Sequence, residues 1–371
     1  MPSDTVPPLQ RLSALGQSVW VDFLSRDSIR GGHLRELIDD HAVVGATSNP
    51  TILQKAMSAG DAYDEQLHEL AAQGKDVAET FWALAERDIG DACDLFRAVW
   101  DGGSGRDGYV SIEVDPRLAY DTLETFREAM RLHEAIDRPN LLVKIPATRP
   151  GLAAIEDVVA KGRSINVTLI FSLRRYAEVA ESYIRGIERL VAEGGDPRKV
   201  ASVASFFVSR IDTEADRRLD EIGGHDGLKG KLAIANAKLA YRHYQEAFAG
   251  ERWEFLAGKG ATPQRVLWAS TSTKNPAYPD TLYVEELIGP DTVNTMPEET
   301  IKAYQDHGDP QVRLDRDLDQ AERVFEELEQ VGVDYDDVTD TLEREGVEKF
   351  ADSFEELMQA LQAKQESLAP A

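Results

Sequence analysis

A lysine inside an apolar run is a side chain with chemistry in hand. In Asn140-Leu141-Leu142-Val143-Lys144-Ile145-Pro146-Ala147-Thr148, Lys144 stands among residues that read as a short strand buried on both faces. An ammonium is costly to bury alone, so Lys144 is either paired with a carboxylate or held partly neutral. A neutral lysine attacks carbonyl carbon and forms a Schiff base. The bland alternative is a strand-edge lysine reaching solvent, and the apolar residues on both sides argue against it. Other apolar runs end in polar side chains: Asp22, Asn49, Glu113, Asn166 with Thr168, Ser205 with Arg210, and Ser270. Taken singly, each fits a structural hydrogen-bonding role. As a set they describe a site, because independent strands are not expected to end alike. Two carboxylates converging on one lysine suit proton traffic around an imine, with Glu113 as one general acid/base and Asp22 as a second. Asn49 and Asn166 fit substrate hydroxyls. Arg210 is the natural anion ligand, since guanidinium meets phosphate in bidentate fashion; its alternative is an ion pair with Asp212 or Glu214.

These residues need strands to carry them, and the chain supplies about eight. Ser18–Phe23, Val43–Thr47, Tyr109–Val114, the Lys144 run, Ser164–Ser172, Val200–Ser209, Arg265–Ser270 and Thr292–Met296 read as strands. Helical sequence separates them. One helix starts at about Ser28, whose hydroxyl can cap it, and a helical stretch from Pro50 to Trp100 breaks at Gly60 and Gly74. Others run from Pro116 to about Ile136, from Leu173 to about Ala192, from Asp212 to Ala249 with a Gly223-Gly224 break, and from Leu282 to Ile288. The alternation predicts an α/β fold, a closed (β/α)8 TIM barrel, with an open doubly wound sheet as the runner-up. In such a barrel the active site gathers at the C-terminal ends of the strands. The barrel is expected over residues 1–308. An acidic helical extension, 309–371, is expected to pack on it, because Phe350, Phe354, Leu357, Met358 and Leu361 recur at helical spacing. Only Ser367 to Ala371 reads as frayed.

Composition narrows the function classes. The chain has 371 residues and a formal net charge of -26, which argues against a nucleic-acid or anionic-membrane surface. An anionic substrate must therefore be met by a local basic site. The one cysteine, Cys93, excludes an internal disulfide framework and reads as a packed thiol. No run is long enough to span a bilayer and nothing resembles a signal peptide, so a reducing cytoplasm is expected. Gly103-Ser104-Gly105-Arg106-Asp107-Gly108 fits G-x-G-x-x-G but precedes a strand and opens no helix, so it reads as a flexible loop rather than a dinucleotide site. The histidines lack ligand spacing, and Asp315 to Asp319 lacks the glycine and closing glutamate of a calcium loop.

Four segments in order carry a family resemblance: Ala46-Thr47-Ser48-Asn49-Pro50-Thr51, Val110-Ser111-Ile112-Glu113-Val114-Asp115, Leu142-Val143-Lys144-Ile145-Pro146-Ala147-Thr148 and Ile165-Asn166-Val167-Thr168-Leu169-Ile170-Phe171-Ser172. With them the chain resembles the transaldolases from Asp22 to about Gly308. The resemblance implies a class I aldolase-type barrel of the pentose phosphate pathway, acting on sugar phosphates with no metal or organic cofactor, as a monomer or homodimer. It implies that Lys144 forms the Schiff base, Asp22 takes the C4 hydroxyl proton, and Glu113 works through a water held also by Thr168. Asn49 and Asn166 would hold dihydroxyacetone hydroxyls, and Ser205 and Arg210 the phosphate. The related fructose 6-phosphate aldolases carry glutamine and tyrosine where this chain has Glu113 and Phe207. One departure stands out. Many transaldolases follow strand seven with Ala-Ser-Phe-Arg; here the line is Ala269-Ser270-Thr271-Ser272-Thr273-Lys274, and Lys274 is the candidate replacement for the missing arginine. Its alternative is an exposed loop lysine. A catalytically silent sugar-phosphate-binding barrel is the reading from another class.

Overall fold

The computed structural model describes residues 6–368. Its strands are β1 (Gln17–Val21), β2 (Val43–Thr47), β3 (Tyr109–Glu113), β4 (Leu141–Pro146), β5 (Ile165–Ile170), β6 (Ser202–Phe207), β7 (Arg265–Ala269) and β8 (Thr292–Met296). They pair in sequence order, all parallel, and the circle closes where β1 runs beside β8 from Gln17 opposite Thr292 to Val21 opposite Met296. That closure removes the open doubly wound alternative. Nearly every strand residue is buried, which is why the strands read as continuous apolar runs rather than alternating ones.

Several helices differ from expectation for identifiable reasons. The first barrel helix is capped by Ser25, not Ser28: Ser25 and Ser28 form a reciprocal capping box, and Ser28 sits inside the helix Arg26–Arg30. Gly31 and Gly32 then end it before His33–Asp40 begins. Pro116–Leu118 is a separate 3-10 turn, and Asp121 caps the helix Thr122–Ile136 through the amides of Leu123 and Glu124. A further helix, Gly250–Ala257, lies beyond Ala249, where none was expected.

The glycine-rich segment before β3 is pinned rather than flexible. Asp107 accepts hydrogen bonds from Ser18 (2.8 Å), Trp20 Nε1 (3.3 Å) and Arg265 (2.9 Å), and Arg265 also donates to the Arg106 carbonyl at 2.6 Å and to Ser18 Oγ at 2.9 Å. This network ties β1 and β7 together at the N-terminal end of the barrel. Gly108 makes the turn possible: its φ is +87° and a Cβ there would lie 2.5 Å from the Trp100 backbone nitrogen.

The acidic tail folds as two helices, Leu318–Gln330 and Tyr335–Leu368, rather than one. Phe350, Phe354, Leu357, Met358 and Leu361 are buried in the same hydrophobic core as the barrel. Phe354 meets Phe81 edge-on with centroids 5.1 Å apart, and Arg117 lies over its ring at 4.9 Å. The last helix continues through Ser367 and Leu368, so fraying does not begin at Ser367; residues 369–371 lie outside the described residues.

Candidate active site

Register assembles the centre. Parallel pairing sets Glu113 of β3 opposite Lys144 of β4, and Lys144 opposite Asn166 of β5, so three polar side chains from adjacent strands share one face. Lys144 and Glu113 are each only 5% exposed. The Lys144 ammonium donates to the Ser48 carbonyl at 3.0 Å and lies 3.3 Å from Glu113 Oε2. Pairing, the first of the two options the sequence left, is what the fold provides. Neither oxygen of Glu113 accepts a well-formed hydrogen bond within the protein, and neither does the buried Thr168 hydroxyl. Both groups lie beside the paired lysine, where a water or a ligand can answer them.

Electrostatics follow from burial. The Glu113 carboxyl is held above the usual range chiefly by desolvation; the Lys144 ammonium opposes the shift and the Asp22 carboxylate adds to it. Asp22 follows β1 directly, its amide bonded to the Met296 carbonyl of β8 at 2.8 Å. Its carboxyl is also raised by burial, against the Thr47 hydroxyl, which donates to it at 2.7 Å, and then against Lys144, Lys274 and Arg210. Both carboxyls are thus shifted toward the range in which a group can carry protons at neutral pH.

A pocket of about 240 Å³ opens at the C-terminal mouth, where Asp22, Asn49, Lys144, Thr168, Ser205, Arg210, Ser270 and Lys274 all border it. Asn49 caps the helix Pro50–Ser58, its Oδ1 accepting from the Ile52 amide at 2.9 Å, which leaves its NH2 for a ligand. Asn166 is enclosed instead. It accepts from Ser205 at 2.7 Å and donates to Ser111 at 3.1 Å. Ser205 has thereby given its only proton to Asn166 and presents oxygen alone to the pocket. Arg210 makes no ion pair among the described residues: Asp212 bonds the Ala233 amide and Tyr283, while Glu214 takes Arg217 and Arg218. The guanidinium rests 5.2 Å from the Phe207 ring centroid, and burial lowers its pKa despite the pull of Asp22 and then Glu113. Ser270 holds a positive φ of +58°, shares a hydrogen bond with Ser209 and brings its hydroxyl to the rim. Lys274 donates to Ser272 at 2.6 Å; its pKa is lowered first by partial burial, with Arg210 and Lys349 adding to the fall against Glu299 and Asp22.

Sequence reasoning missed other parts of this site, among them Thr47, Thr51, Ser272, Thr295, Lys349 and Phe350, which also line the pocket. Thr47 was legible as the residue before Ser48-Asn49; nothing in the sequence says that the tail helix crosses the barrel mouth, so Lys349 and Phe350 were not. Among the described residues no three His, Cys, Asp or Glu side chains gather to hold a metal, and no helix is long and apolar enough to cross a membrane.

The fold and site define an α/β-barrel enzyme with a lysine–carboxylate centre at its C-terminal mouth. The chain belongs to the transaldolase/fructose-6-phosphate aldolase family, which it matches over residues 19–361. It is 53% identical to the transaldolase of Frankia alni over 354 residues, with 95% of each chain covered. It is 54% identical to that of Saccharopolyspora erythraea over 356 residues, covering 95% of this chain and 96% of the relative. The transaldolase of Acidothermus cellulolyticus is likewise 54% identical over 358 residues, with 95% and 96% covered. The family match takes in the first tail helix and most of the second, so it extends beyond Gly308.

Proposed function

We propose that this enzyme is a transaldolase of the cytoplasmic pentose phosphate pathway, moving a dihydroxyacetone unit from sedoheptulose 7-phosphate to glyceraldehyde 3-phosphate. The observation that carries the reading is Lys144 paired with Glu113 beside Asp22, at a pocket in the barrel mouth that Arg210 also borders. A proton passing from the Lys144 ammonium to Glu113, 3.3 Å away, leaves a neutral amine able to attack a carbonyl. The amine attacks C2 of the ketose. Glu113, bridged by a water that Thr168 also holds, returns the proton to the departing hydroxyl, and an imine remains. Asp22 then takes the C4 hydroxyl proton, the C3–C4 bond breaks, erythrose 4-phosphate leaves and an enamine stays on Lys144. Glyceraldehyde 3-phosphate accepts this nucleophile, Asp22 returns its proton, and hydrolysis frees fructose 6-phosphate. Asn49 and the second N–H of Asn166 hold the hydroxyls of the three-carbon unit. Arg210, Ser270 and Lys274 meet phosphate, with Ser205 joining once its hydroxyl turns from Asn166.

The test is borohydride reduction of the protein mixed with fructose 6-phosphate, followed by peptide mapping. A three-carbon adduct on the peptide holding Lys144 is expected. A folded, ketose-binding protein without that adduct would overturn the lysine mechanism in favour of a silent binder. Release of free dihydroxyacetone in place of transfer would instead identify a fructose 6-phosphate aldolase.

A further inference from the structure

The last helix is strapped across the mouth of the barrel. Near its start, Tyr335 accepts from the Leu173 amide and donates to Asn236, while Arg218 pairs with Asp337 and Arg175 with Glu343. Toward its end, Ser353 shares a hydrogen bond with Thr51, Gln365 donates to Thr80, and Lys364 pairs with Asp64. Between these anchors it lies so close to β5 that a Cβ on Gly346 would stand 3.1 Å from Leu169 Cδ2. Leu169 itself is turned outward by a bulge in β5, with φ +59°. Lys349, about one turn beyond Gly346, therefore stands over the opening and borders the same pocket as Arg210 and Lys274.

Beside the buried Lys144, three further cations, Arg210, Lys274 and Lys349, border one small pocket in a chain of net charge -26. None of the three forms an ion pair among the described residues, although most other arginines here do. Asp22 is the one carboxylate among the residues lining this pocket, so positive charge is in excess there, and the arrangement becomes more favourable when a multivalent anion sits among the cations. The bland reading of Lys349 is a solvated lysine on the outer face of a helix. It leaves unexplained why this position borders the pocket while the helix is anchored on either side of it, through Glu343 to Arg175 and through Ser353 to Thr51.

We infer that Lys349 is a phosphate ligand of the substrate site, so that the last helix supplies, with Lys274, the positive charge that the loop after β7 lacks. The inference rests on the sugar-phosphate reading above. The substrate class is a phosphorylated ketose or aldose whose terminal phosphate reaches the rim while its carbonyl carbon reaches Lys144. Because Lys349 is solvent-facing, its contribution is modest and salt-sensitive.

The experiment compares wild type with Lys349→Met, Lys349→Arg and Arg344→Ala, an equal loss of charge at an exposed position on the same helix that does not border the pocket. Lys349→Met is expected to raise KM for fructose 6-phosphate about fivefold with kcat within twofold, and to weaken calorimetric binding of inorganic phosphate about as much. Lys349→Arg restores both, Arg344→Ala changes neither, and the deficit shrinks in high salt. Unchanged KM and phosphate affinity in Lys349→Met, an equal effect of Arg344→Ala, or a fall in kcat alone would each overturn the assignment. Failure of the functional reading is separable: it shows as no borohydride adduct on wild-type Lys144, while phosphate binding still decides the role of Lys349.

Discussion

The two ends of this barrel bury charge in opposite ways. At the N-terminal end Arg265 and Asp107 are saturated: two hydroxyl or indole donors and a carbonyl complete what the ion pair leaves over. At the C-terminal end Glu113 has Lys144 and little else, Thr168 has no partner, and Arg210 faces the pocket without a carboxylate. The first arrangement is stable because the two opposite charges answer each other and neighbouring donors and a carbonyl complete the pair. The second keeps donors and acceptors in reserve, and that reserve is what a substrate can use. Conserving charge type is therefore not the distinction between structure and function here; completeness of partnering is.

Three substitutions bear on that contrast. Glu113→Gln should cost about 10²–10³-fold in kcat while leaving the fold intact, since Lys144 keeps the Ser48 carbonyl. Steady-state kinetics beside a urea melt would check it, and a large loss of stability with activity retained would reverse the roles of the two ends. Arg265→Met should do the opposite, destabilising the protein by about 1–3 kcal/mol with kcat within twofold, because the partly buried Asp107 loses its cation and keeps only Ser18 and Trp20. Thr168→Val gives the smallest effect. Stability should stay within about 1 kcal/mol, since no intramolecular hydrogen bond is lost, while kcat falls by about tenfold. A marked drop in melting temperature would mean that Thr168 belongs with the saturated groups after all.

Much of this contrast was readable from residue types. Strands buried on both faces announce themselves as apolar runs, and a lysine or carboxylate within one is conspicuous, so Lys144 and Glu113 stood out before any coordinates. The four motifs then pointed to the family. Helix starts were less legible, because Ser25 and Ser28 are chemically equivalent caps and only backbone geometry chooses between them. Two kinds of information were out of reach. Whether Asn166 and Ser205 face a ligand or each other depends on rotamers, which the sequence does not record. And the tail advertised a buried stripe at Phe350 and Phe354 without saying what the stripe covers, so nothing in the sequence sets Lys349 apart.

The pocket wall is completed by Phe350, long after β8 has closed the barrel in chain order. A chain emerging from the ribosome would gather its lysine, both carboxylates and Arg210 before the residues that cover them have been synthesised. The barrel centre would then stand open to water and to stray metabolites until the final helix docks. Translation order thus places the docking of this helix after closure of the barrel, as a separate step of maturation.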